Sequence, residues 1–563
     1  MKKYNLFKVL AITVFVAWVL TLIIPGSYAD YSGNITTSTI SGVGIWSLFS
    51  NLSISISYFN GIAVFLIAIA CFYAVISKLE VYNNFVQRTA SIFKGKEGLL
   101  VTISIIVFAL LAFVVSDAIT LLVFVPFVYK VMKELDIDKK VILSSTIIAS
   151  LVGAMCGIYN STLFSMFGLE VNTLLLVKAI LLVISLFILI FFVAPRKDKK
   201  TSKTVKVEKK SKTTSKTEKK KTTVKEVKKS NTKEKKVNKP IYAVLTILLG
   251  TFGINKFYAG KIKQGILSIL FCWTLIPTIL SIVEFITVLT EKADKDGKIT
   301  VTSTRRVNVL FATSLVLFVL FVILAIIPWE SLFANCTIFT DFNTWLSNIK
   351  IGDYAVFSNI IGAPVIVDPT YGSTTGVISA FGSWIMTDVA IFLFILTVVI
   401  ALASNIKFNE FIATETAGIK KILPVAITAM LISIVLVIMV TTGVNVTITN
   451  WILSWAEGFN IATSTLATMV GSVITADFYY FVSTIGTVFT ATVSNSELYG
   501  VVALIIQSIY YLMMIIAPTS VALIIGLYYL DIPYGKWFKY IWKVLLALFI
   551  VVIITSIVVF ALV

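Results

Sequence analysis

Seven stretches of about twenty apolar residues, near 8–24, 60–78, 171–193, 308–328, 384–403, 422–441 and 538–563, each match the hydrocarbon thickness of a bilayer. In lipid every backbone polar group must be satisfied within the segment, so runs of this length become helices. The chain therefore reads as all-α and polytopic. Hydrophobic residues make up 58% of its 563 positions and charged ones 13%, more apolar surface than a soluble domain needs. The first run follows Met1-Lys2-Lys3 without a convincing small-residue cleavage site, so it reads as a retained first helix.

Basic loops set the orientation. Residues 25–59 contain no Lys or Arg and are expected outside. Lys78, Arg88, Lys94 and Lys96 place the next loop inside, with Lys130, Lys133, Lys139 and Lys140. Residues 98–129 thus start and end on the cytoplasmic face. This predicts a hairpin that dips in and returns with Ser116-Asp117 at its tip; two full spans meeting outside at Asp117 are the alternative. Lys407, Lys420 and Lys421 invert the scheme in the second half. There 443–460 reads as interfacial, with Trp451 and Trp455 on one helical face, and 462–492 forms a second hairpin with Asp477 at its tip. Polar-interrupted helices are expected near 141–168 and 498–527. Leu169-Glu170-Val171 before Lys178 is echoed by Leu530-Asp531-Ile532 before Lys539. Together these signs predict two inverted repeats.

A charge inside the bilayer is costly and marks a pathway. Asp117 and Asp477 each lie in an apolar stretch, and each is followed by a helix-breaking polar cluster: Asn160-Ser161-Thr162 and Pro518-Thr519-Ser520. Unwound segments expose backbone N–H and C=O groups, and Pro518 frees a carbonyl in the preceding turn. Ser116, Asp117, Asn160, Ser161, Thr162, Asp477, Thr519 and Ser520 are therefore the candidate solute-binding residues. The oxygen-rich breaks suit Na⁺ or H⁺ coupling, with a candidate Na⁺ position near Asn160 and Thr519. The plainer alternative for each cluster is a packing kink satisfied by a neighbouring helix. Lys178, about two turns into a span, reads as a side chain that snorkels to the outer interface, with a charge relay as the alternative.

The net charge of +19 does not point to nucleic acid, because it is concentrated in 196–239. That segment holds nineteen Lys and Arg196 against Asp198 and four Glu. It reads as a disordered cytoplasmic tether that fixes topology, with contact to anionic lipid as the sharper alternative. Cys71, Cys156, Cys272 and Cys336 show no pairing or metal spacing. Histidine is absent, which removes His-based catalysis and His metal sites. No phosphate-loop pattern occurs, and Asp294-Lys295-Asp296-Gly297 lacks the terminal Glu of a calcium loop, so it reads as an ordinary turn. No enzymatic activity and no cofactor are expected.

Ala517-Pro518-Thr519-Ser520, then Ile532-Pro533-Tyr534-Gly535-Lys536-Trp537, then Trp542-Lys543, are similar to the YfcC family of the ion transporter superfamily. Gly443 to Leu453, Lys94 to Leu100 and Gly153 to Asn160 are similar too. The resemblance covers roughly 1–195 and 384–563. It implies a carrier fold related to four-carbon dicarboxylate and arginine–ornithine carriers, often dimeric. Members commonly carry paired glutamates where Ser116-Asp117 stand, Asn-Pro-Phe where Asn160-Ser161-Thr162 stand, and a serine-rich tip where Thr475-Ala476-Asp477 stand. The departures fall on the presumed site, so solute identity does not carry over. Between the halves, Gly250 to Lys261 resembles the core of the TM-two domain, with Asn255 where His is common and Glu284 where Asp is common.

The expected organisation is repeat 1 over 1–195, the tether over 196–239, a TM-two-like module over 240–290, an extra transmembrane helix with an external loop over 305–383, and repeat 2 over 384–563. The expected function is a multi-pass secondary carrier of the cell membrane, with a cytoplasmic N-terminus and tether. It moves a small polar solute, cationic amino acids being favoured because two acids have no buried Arg beside them. A dicarboxylate or peptide carrier is the runner-up, and a non-transporting scaffold or sensor built on the TM-two module is the reading from another class.

Overall fold

Apolar helices of membrane-crossing length dominate the computed structural model. It describes residues 3–29, 34–38, 42–115, 117–170, 173–194, 236–270, 318–333, 336–356 and 379–563, with isolated positions at 40, within 277–300 and within 367–373. Ser116, the tether up to 235, and 308–317 of one expected span lie outside the described residues. Among the described residues, seven helices are long and apolar enough to cross a membrane. The chain is a multi-pass membrane protein. It divides into two compact units, one made of Met1–Ala194 with Val319–Val563, the other of Pro195–Phe318.

In the first unit, the expected spans fall on Lys3–Ile23, Ile45–Lys78, Leu175–Val193, Met386–Ala403, Phe408–Thr442 and Tyr534–Leu562. The second helix departs most from expectation. Residues 45–59 belong to it rather than to a loop, so its 34 residues extend about 51 Å. That exceeds a hydrocarbon core of about 30 Å, and the surplus carries exposed Trp46 and Phe49, side chains suited to an interface. This helix packs along Phe408–Thr442 and Met386–Ala403. Residues 27–29 and 35–37 pair as a small antiparallel hairpin. It docks where Gly443 turns with φ 69°, so close that a Cβ there would lie 2.5 Å from the Ser27 carbonyl oxygen.

Both acidic stretches fold as helix, break, helix. Glu97–Val115 is followed by a 3-10 turn, Thr120–Phe124, which runs into Val125–Glu134. Ile461–Ile474 is followed by Phe478–Phe481, which continues through a π turn at Val482–Gly486 into Thr487–Thr492. The two polar-interrupted helices are gapped. The first runs from Lys139 through a π turn to Met155, then resumes as Ser161–Phe167. The second is Tyr499–Met514, resuming as Val521–Tyr529. Gly153 lets the first gapped helix meet Glu97–Val115 at backbone distance; a Cβ there would stand 2.1 Å from the Ala109 carbonyl oxygen. Tyr499–Met514 packs on both Ile461–Ile474 and Ala149–Met155, so the sequence halves interlock.

In the second unit, Lys239–Leu249, Ile254–Tyr258 and Ile262–Leu270 are helical, and 236–238 pairs antiparallel with 298–300. The Asp294 turn is a polar turn. Its carboxylate accepts from the Lys298 and Asp296 amides at 2.8 and 3.1 Å and from Lys236 Nζ at 3.0 Å. The hydrogen bond from Lys236 holds this exposed carboxyl below its ordinary range. Inside the unit, buried Glu284 gathers the Tyr242 hydroxyl at 2.7 Å, Asn255 Nδ2 at 3.1 Å and the Lys256 ammonium. The two positions where the chain departs from the TM-two pattern, Asn255 and Glu284, are thus direct partners.

Candidate solute site

Each acidic break is closed by its own aspartate. Asp117 Oδ1 accepts from the Ile119 amide at 2.7 Å, and Oδ2 takes the Thr120 hydroxyl. Asp477 Oδ1 accepts from the Tyr480 amide at 3.1 Å. The first amides of a helix have no intrahelical acceptor, so a carboxylate there satisfies an orphan donor and meets the positive end of the helix. The gapped helices restart in the same way. Asn160 Oδ1 accepts from the Leu163 amide at 3.0 Å, and Ser520 Oγ from the Leu523 amide at 3.4 Å. Asn160, Asp477 and Ser520 thus stand at the N-caps of their limbs, while Asp117 lies two residues before the Ile119 cap position and turns the chain into its 3-10 limb.

These four side chains share one cavity of about 300 Å³. Asp117, Asn160, Thr162, Asp477, Thr519 and Ser520 line it, together with Phe478, Tyr510 and Tyr511. Phe478 stacks on Tyr511 with ring centroids 5.2 Å apart and meets Tyr510 edge-on at 4.8 Å, giving the cavity an aromatic wall. Among the described residues, no Lys or Arg lines it. Such a volume lies at the small end of ligand pockets. Ser161 does not line it. As the first residue of its helical limb, Ser161 is turned about 100° from Thr162, and its side chain is exposed.

Two kinds of bond hold the breaks in place. The Ile158 amide in the first gap donates to the Phe113 carbonyl at 2.9 Å. Thr519 Oγ1 in the second gap donates to the Val473 carbonyl at 2.7 Å. Phe113 precedes Asp117 by four residues, as Val473 precedes Asp477. The hydroxyl proton of Thr519 is thereby committed, and Asn160 Oδ1 already serves a cap. A cation near this pair would draw on their remaining lone pairs.

The carbonyl ends of the gaps are closed by the following transmembrane helix. Before Pro518, the Ile516 carbonyl accepts from the Tyr534 hydroxyl and the Ile515 carbonyl from Trp537 Nε1 at 3.0 Å. This gives the two separated motif pieces, Pro-Thr-Ser and Pro-Tyr-Gly-Lys-Trp, one structural reason. At the first gap, Lys178 Nζ donates to the Gly157 carbonyl at 3.0 Å and to Gln507 Oε1 at 2.9 Å. Lys178 is 3% exposed, so it does not snorkel. Its side chain turns inward because carbonyls freed by the gap lie within reach.

Residue-by-residue reading of the sequence missed Gln507, Tyr510, Tyr511 and Asn445. Gln507 is a lone amide in an apolar helix, which is a signal in itself. The two tyrosines stand in an apolar run that carries no mark of a site. Asn445 Nδ2 reaches the hydroxyls of Thr475 and Thr484 at 3.3 and 3.0 Å, tying together the two sides of the second acidic break. Among the described residues, no group of three or more acids or cysteines is placed to hold a metal ion.

Residues 235–286 match the TM2 domain family. Fifty-one residues of the chain are 55% identical to the uncharacterized membrane protein YozV of Bacillus subtilis (strain 168). That match covers 9% of this chain and 65% of the relative's length, so the chain spans about two-thirds of that protein. No solved structure is significantly similar. The protein is thus a membrane protein with a TM2 domain.

Proposed function

We propose that this protein is a secondary active transporter of a small polar organic solute, working by alternating access with ion coupling or exchange. The observation that carries the reading is that Asp117 and Asp477, far apart in sequence, line one cavity with Asn160 and Ser520. In this reading the two acidic breaks are re-entrant hairpin tips, and the two halves are inverted repeats. Paired features support it: an aspartate accepting from a backbone amide at each tip, a gap bonded four residues upstream of each aspartate, and carbonyl ends closed from the next helix. Discontinuous helices of this kind give a site polar groups without exposing backbone to lipid.

The solute carries an ammonium group, and cationic amino acids are favoured. Two carboxylates face the cavity, and among the described residues no Lys or Arg lines it, so a positive charge is what the cavity attracts. The aromatic wall suits an alkyl stem or a cation. Uptake into proteoliposomes tests this. Labelled arginine or ornithine should enter saturably; saturable entry of a dicarboxylate with none of either amino acid overturns the solute class.

A second reading, a membrane scaffold or sensor, is favoured by the TM2 match in a separate compact unit. It predicts that Asp117→Asn with Asp477→Asn leaves every cellular phenotype intact while loss of the TM2 unit does not.

A further inference from the structure

Lys178 is a buried ammonium without an acid. Among the described residues no carboxylate pairs with it, and it is 3% exposed. Its ligands are neutral: the Gly157 carbonyl at 3.0 Å, Gln507 Oε1 at 2.9 Å, and the face of Phe164 with its centroid 5.0 Å away. Gln507 is itself oriented, since its Nε2 donates to the Ala154 and Gly157 carbonyls at 3.0 and 2.9 Å. Ala149–Met155 ends here, so the ammonium sits at the negative pole of a helical limb. Neutral oxygens at the carbonyl end of an interrupted helix are what a desolvated alkali cation binds in carriers.

We propose that Lys178 is a tethered cation, filling a position that would otherwise take a free monovalent ion. It bridges the two gapped helices, because Gly157 lies in the first gap and Gln507 in the first limb of the second. Three residues beyond Gln507 is Tyr510, which lines the cavity, so the bridge reaches the candidate site. At this gap the protein carries its own positive charge. Melting alone tests this; only its consequence for coupling rests on the carrier reading.

The test is thermal melting of the purified full-length protein in choline, sodium and methylammonium salts at equal ionic strength. The wild type should melt alike in all three. Lys178→Ala should melt lower in choline and recover by roughly 5 °C in sodium or methylammonium, because a bound ion stabilises by mass action. Lys178→Ala melting alike in all three salts, or the wild type gaining as much as the variant, overturns the proposal. If Lys178→Ala is not recovered folded, Lys178→Arg and Lys178→Met decide. Retention by Arg with loss in Met supports a need for charge, and equal melting of the two overturns it. These readouts need no flux, so they separate failure of this inference from failure of the transport reading.

Discussion

An aspartate at the start of a helix acts as a hydrogen-bond acceptor and as a charge, and the two roles come apart by substitution. Asparagine ranks with aspartate as a cap, whereas alanine cannot cap. Asp477→Ala should therefore cost about 1 kcal/mol of stability, while Asp477→Asn should cost only a few tenths. Under the transport reading both lose uptake of a cationic solute, because both lose the charge that faces the cavity. Melting and uptake measured on the same preparations check this; Asp477→Asn with wild-type uptake would make the carboxylate a cap and nothing more. The aspartates were legible in the sequence because a charge in an apolar stretch needs a reason. Their bonding to backbone amides was not, since it depends on which amide lies within about 3 Å, a matter of local backbone path. Lys178 shows the same limit. From sequence alone its distance from the helix end suggested an escape to the interface. The carbonyls that hold it inward come from Gly157 and from a glutamine more than three hundred residues away.

Helical elements were legible where hydrophobicity alone decides them. The spans over 171–193, 384–403 and 538–563 match helices to within a few residues, because a bilayer-length apolar run has one stable backbone solution. The gaps were legible for the same reason in reverse: Pro518 removes a donor, and the Asn160 cluster offers caps. The N-terminal extension of Ile45–Lys78 was not legible, because polar and apolar residues mix over 45–59 and neither period nor charge marks the helix start. What closes the second gap is an element-level device. Trp537, fully buried on the last helix, donates to the Ile515 carbonyl at the end of another. Trp537→Phe keeps most of the packing but leaves that buried carbonyl without this donor, a loss of about 1–3 kcal/mol. Chemical denaturation should show this as a lower midpoint with an unchanged slope. A midpoint equal to the wild type's would mean the carbonyl finds another partner, and the gap would not depend on the last helix.

At the scale of the whole molecule, the question is whether the two compact units act independently. The larger unit is completed by chain segments on both sides of the inserted one, and the described residues that line its cavity lie at or before 162 or from 432 onward. The TM2 unit holds its own buried polar network around Glu284 and closes its ends by pairing 236–238 with 298–300. An insertion whose ends meet and whose core is its own can be removed with little cost to its host, since loop-closure entropy changes slowly with length. Replacing residues 236–300 by a Gly/Ser linker should therefore leave a folded protein. Its elution as a single species and its melting midpoint, within a few degrees of the parent's, check the fold. Under the transport reading it should also keep most of the uptake. If the deletion variant folds but loses all uptake while binding of labelled solute persists, the TM2 unit is part of the transport cycle. If both binding and uptake persist while a cellular phenotype is lost, recruitment or sensing is the work of that unit, and transport and signalling share one chain.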